Sequence, residues 1–118
     1  MKKLFFLSAL ALLTIPVFAQ SQGITGKWVS QVNGAKLTMN VTNDAISIAA
    51  DTSILSTESY TLAGDTLSVT ESGGSLGCQG AGKYLIAMKN NGLTFAMLSD
   101  GCDARNKVFT GAAWAKAE

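Results

Sequence analysis

From Ile24 onward, apolar side chains return at every second position rather than every third or fourth. Leu37, Met39 and Val41 alternate with Lys36, Thr38, Asn40 and Thr42, the pattern of a strand with one buried face. Asn43-Asp44 supplies turn residues, and Ile46, Ile48 and Ala50 resume the alternation. Tyr60 and Leu62 lead into Gly64-Asp65, and Leu67 and Val69 lead out. Tyr84, Ile86 and Met88 run into Asn90-Asn91-Gly92, followed by Leu93, Phe95 and Met97; Asn-Gly between alternating segments is a strong hairpin signal. The first strand is expected over 24–32 and the last over 107–115. The spacing of turns, roughly every 8 to 12 residues, predicts an all-β chain of about eight strands. Short consecutive connections favour a small up-and-down antiparallel β-barrel over a sandwich, whose crossing links are longer. One long glycine-rich loop is expected at 73–82, holding Cys78. The only helix expected is a short turn over 100–106, before the last strand, with Asp100 as its N-cap.

The inward set of such a barrel would be Trp28 with the alternating apolar residues above, and Val108 or Phe109 from the last strand, whose parity the sequence leaves open. An eight-stranded barrel is just wide enough to be filled by side chains or to hold one small ligand.

The chain opens MKKLFFLSALALLTIPVFAQ: two lysines, an apolar run over 4–17, then Val17-Phe18-Ala19. This predicts a secretory signal over 1–19, cut after Ala19, because the run is shorter than the roughly 20 residues a bilayer span needs. No cysteine follows the run to accept a lipid. One domain is then expected over 20–118, periplasmic or secreted, with no membrane span left. Without Lys2 and Lys3 there are seven basic against eight acidic residues, and neither sign is clustered along the chain. That gives no footprint for nucleic acid or an anionic membrane. Cys78 and Cys102 are the only cysteines, and in an exported chain they are expected to form one disulfide. Nothing in the sequence fixes the oligomeric state, and a monomer is the working expectation.

Gly26-Lys27-Trp28 in the first strand is the G-x-W pattern, and Asp100-Gly101-Cys102-Asp103-Ala104-Arg105 precedes a last strand ending at Trp114. With the Tyr60 to Leu67 hairpin, this resembles the small lipocalin-like (calycin-type) domains of exported bacterial proteins, over nearly the whole mature chain. The resemblance implies that Gly26, Trp28 and Arg105 close one barrel end, with the guanidinium packed across the indole. The chain is shorter than full-sized lipocalins and lacks their long C-terminal helix. Gly77-Cys78-Gln79 with Gly82 and Tyr84 is similar, more weakly, to META-type domains of bacterial envelope proteins, with Gln79 where that pattern has asparagine.

Candidate chemistry is sparse. The chain has no histidine, which removes the commonest general base and the usual zinc or copper ligand. No spacing suggests a Ser-Lys nucleophile, so no catalytic residue is assigned and an enzyme is not expected. Asp100 and Asp103 fall short of the six to eight oxygens calcium takes, roughly, and suit pairing with Arg105 or Lys107 better. Met39, Met88 and Met97 fit apolar faces better than a soft copper site. No metal and no cofactor is expected. Glu58 shares strand parity with Tyr60 and Leu62, so it would point inward near an open end and orient a ligand there, or sit at a wet rim. The functional expectation is a non-enzymatic binding module for a small apolar or amphipathic ligand, facing Met39, Ile48, Glu58, Tyr60, Tyr84, Met88 and Phe95. The alternatives are a protein-binding module, such as an inhibitor of an exported hydrolase using the glycine-rich loop, or an envelope protein with a structural or stress role.

Overall fold

A computed structural model describes residues 23–117; the expected leader lies outside them. Eight antiparallel strands close into a barrel in chain order, with one short helix before the last. The strands are β1 (Gly26–Val32), β2 (Ala35–Val41), β3 (Ala45–Ala50), β4 (Ser53–Ala63), β5 (Thr66–Gly74), β6 (Ala81–Lys89), β7 (Gly92–Ser99) and β8 (Trp114–Lys116). The helix α1 spans Asp103–Thr110. The β2–β3, β4–β5 and β6–β7 turns lie at one rim, here the lower. The other connections and α1 form the upper rim.

The alternation in the sequence is the alternation in the barrel. Leu37, Met39 and Val41 of β2, Ile46 and Ile48 of β3, Leu67 and Val69 of β5, Tyr84 and Ile86 of β6, and Leu93 and Phe95 of β7 are buried together. Ile24, Trp28, Phe109 and Trp114 complete this core. The lower β6–β7 turn uses Asn90 and Asn91, both at positive φ, and leaves Gly92 as the first residue of β7. Asparagine tolerates the left-handed region that a two-residue hairpin turn demands.

The last quarter of the chain departs from expectation. The segment 103–110 is helical, so the last strand shrinks to three residues, and it meets each neighbour at two register pairs: Trp28↔Lys116 and Val29↔Ala115 with β1, Gly92↔Ala115 and Leu93↔Trp114 with β7. Above Leu93 the wall between β7 and β1 has no strand among the described residues. The helix fills the breach: Phe109 is buried with its ring 4.9 Å from Phe95 and 5.0 Å from Tyr84, and Ser30 Oγ donates to Ala113 O at 2.9 Å. Asp100 is not the helix N-cap. That position is Cys102, with no side-chain cap, and Asp100 Oδ1 instead accepts the Cys102 amide at 2.8 Å. The glycine-rich connection is also shorter than expected, because β5 runs to Gly74 and β6 starts at Ala81.

Candidate functional site

Under the upper rim lies a sealed polar cluster. Arg105 and Glu58 are both 0% exposed. Arg105 points inward from α1 and meets Asp100 with two nitrogens, Nε to Oδ2 and Nη2 to Oδ1, each at 2.9 Å. Its Nη1 donates to Glu58 Oε1 at 3.1 Å and its Nη2 also donates to the Gly80 carbonyl at 3.2 Å. Tyr84 donates to Asp100 Oδ2, and Ser56 donates to Glu58 Oε2. One guanidinium thus ties together the helix, β4, the end of β7 and the β5–β6 loop. Register shifts on both sides of β4 flank this site, one between Ile48 and Ala49 of β3 and one between Thr57 and Glu58. Such bulges commonly re-aim side chains.

The cluster holds one cation against two carboxylates. Burial pushes Glu58 above the usual carboxylate range, against the Ser56 hydrogen bond and the Arg105 charge. Burial also opposes the Asp100 charge, but the hydrogen bonds from Arg105, Tyr84 and the Cys102 amide outweigh it and hold that carboxyl low. Burial and Asp100 together push the Tyr84 hydroxyl up. Two carboxylates with diverging proton affinities are the raw material of acid–base catalysis. Here both are sealed and held by Arg105, Glu58 also by Ser56 and Asp100 also by Tyr84 and the Cys102 amide, so the arrangement works as a latch on α1. Cys78 and Cys102 stand at disulfide distance, sulfurs 2.09 Å apart, and would tie the β5–β6 loop to the helix start. Glu71 holds the same loop by accepting the Cys78 amide at 2.6 Å.

This corrects the role expected for Arg105, which is engaged with carboxylates and does not lie across Trp28. The cation over the Trp28 ring is Lys116, with Nζ 4.7 Å from the centroid. The indole itself turns to the lower rim, donating from Nε1 to Ile24 O at 2.9 Å. Gly26 stands at positive φ, and a Cβ there would meet Lys116 Nζ at 2.7 Å.

The side chains expected to face a ligand are mostly packed on one another. Met39, Ile48, Glu58 and Tyr84 are fully buried, and Phe95 nearly so. Tyr60 is partly buried, its hydroxyl donating to Thr42 O at 2.6 Å. Met88 breaks the pattern at 39% exposed. Asp103 pairs with Lys107 in the open, at 3.2 Å. Among the described residues no group of three or more His, Cys, Asp or Glu could hold a metal ion, and no helix is long and apolar enough to cross a membrane.

Sequence reading did not single out the exposed apolar side chains of β6–β7. Among the described residues five large apolar side chains are exposed, and four of them sit on this one hairpin: Leu85 on its outer face, Leu98 at a bulge, and Met88 and Met97 on the parity of the core residues Ile86 and Phe95 but towards the strand ends. A register shift between Lys83 and Tyr84 leaves Leu98 as an extra residue in β7, so two consecutive apolar side chains reach solvent there. Beside them lies a depression of about 460 Å³ lined by Ala87, Met88, Lys89, Gly92, Thr94 and Ala113. A second, of about 280 Å³, continues across β8 to Val29, Gln31 and Lys36. No family model, curated protein or solved structure matches the chain.

Proposed function

We propose that this chain is a non-enzymatic binding module of an exported, lipocalin-like kind, whose partner is another protein of the same compartment and whose contact surface is the β6–β7 hairpin. The observation that carries this reading is the gathering of Leu85, Met88, Met97 and Leu98 on one exposed hairpin of an otherwise alternating barrel. Exposed apolar clusters of this kind mark interaction sites more often than chance placement. The packing of Met39, Ile48, Tyr84 and Phe95 against the rest of the core argues for an outer contact surface over an interior ligand. The β5–β6 loop suits the contact role less well, since its amides and carbonyl are engaged by Glu71 and Arg105.

The test is a photo-crosslinking residue at Leu98, compared with one at Thr61 on the opposite wall, in cells exporting the protein. A discrete covalent product from position 98 alone is expected. Equal labelling from both positions, or none, would overturn the hairpin assignment. Native mass spectrometry of the same protein supplies the rival outcome: a small added mass lost on denaturation would restore the interior-ligand reading.

A further inference from the structure

Resting on the reading of the β6–β7 hairpin as a contact surface, we infer that the partner presents an extended, carboxylate-bearing segment that lies across the outer side of the β7–β8–β1 seam. Two observations converge on this segment.

The first is charge. Among the described residues, signs that interleave along the chain separate in the fold. The lysines Lys27, Lys36, Lys83, Lys89 and Lys116 are all exposed on β1, β2, β6 and β8, and no exposed carboxylate belongs to those strands or to β7. The carboxylates Asp44, Asp51, Asp65 and Glu71 belong to β5 and to the turns that flank β3 and β4. Asp65 borders the cationic side, beside Met88. Asp103 on α1 is already paired with Lys107. The apolar hairpin is therefore framed by positive charge, and it calls for a negative partner.

The second is shape. The two seam depressions share Ala113 and run from Lys89 at one end to Lys36 at the other. A trough takes an extended chain, whereas an interfacial membrane contact is better served by a protruding apolar ridge. β8 meets β7 only at Gly92 and Leu93, and α1 covers the β7 edge above them, so the segment reaches the seam from its outer side.

The experiment uses isotope-labelled mature protein titrated with a short synthetic peptide of alternating glutamate and valine, and with its lysine–valine counterpart. Expected are shifts confined to the seam, over Ala87–Thr94, Ala113–Lys116, Val29–Gln31 and Lys36, and no response to the lysine peptide. Binding should weaken by about tenfold as ionic strength rises from ~0.05 to ~0.3 M. Lys83→Ala and Lys89→Ala should each weaken it by about two- to fivefold. Equal binding of both peptides, or shifts centred on β3–β5, would overturn the inference. So would retention on phosphatidylglycerol vesicles with no response to the acidic peptide, which would make the anion a lipid headgroup. A specific crosslink from position 98 with no peptide response would leave the hairpin reading standing and remove the acidic segment. Failure of both would remove both.

Discussion

At the scale of single residues, Arg105 decides the most. Removing it would strand Asp100 and Glu58 in a sealed site, and an unpaired buried carboxylate costs more than the lost contact itself. Arg105→Ala is therefore expected to lower the unfolding free energy by about 3–5 kcal/mol, read from urea denaturation. A loss below about 1 kcal/mol would contradict the latch. Glu58 carries the pH dependence in the opposite sense to Asp100. Its folded-state affinity for a proton is raised, so its contribution is fully present below the unfolded-state value, about 4.3, and is lost as pH rises through the folded value. Asp100 is depressed, so its contribution is present above the unfolded value and is lost as pH falls through the folded one. Glu58→Gln should thus raise neutral-pH stability relative to wild type and flatten the decline in melting temperature as pH rises past the unfolded-state carboxylate value. An unchanged slope would place the titration elsewhere. The sequence betrayed the inward parity of Glu58 but not its partner, because Arg105 stands 47 positions away and only the helix brings it there.

At the scale of elements, the strands were readable and the closure was not. Leu37 to Val41 and Tyr84 to Met88 announce themselves because a half-buried strand imposes a period of two. The segment Asp103–Thr110 carries Val108 and Phe109 side by side, which fits either a strand or a single amphipathic turn, and tertiary packing of Phe109 on Phe95 and Tyr84 decides for the helix. The two-pair closure at β8 makes α1 a structural member, and two substitutions test how it is held. Gly82→Ala would drive a Cβ to within 2.5 Å of Asp100 Oδ2 and 3.0 Å of Arg105 Nη2. A loss of about 1–3 kcal/mol is expected, with faster amide exchange confined to α1 and the β5–β6 loop. Replacing Cys78 and Cys102 by serine should cost about 3 kcal/mol and loosen the same two elements. Loosening that spreads evenly over β2–β4 would show that helix and loop are not one unit.

At the scale of the whole molecule, the question is what the barrel does with its apolar side chains. Most are in the core, where each supports the fold. The exposed four on β6–β7 should support it little, and this separates an interaction surface from a fold defect. Met39 is fully buried at the centre of the sheet, so Met39→Ala is expected to cost about 2–5 kcal/mol. Leu85→Thr and Leu98→Thr should each stay within about 0.5 kcal/mol of wild type, because neither vacates a packed site. Leu85→Thr would nonetheless abolish the crosslink from position 98, and both would abolish the peptide response assigned to the hairpin. A large stability loss on Leu98→Thr would instead mean that the bulge is anchored by this side chain, and the patch would then be architecture. The charge division around the barrel follows the same logic and explains why it escaped the sequence. Closing the sheet places β8 beside β1, so lysines from both ends of the chain come to one side, and only the closed topology turns an interleaved sequence into a two-faced molecule.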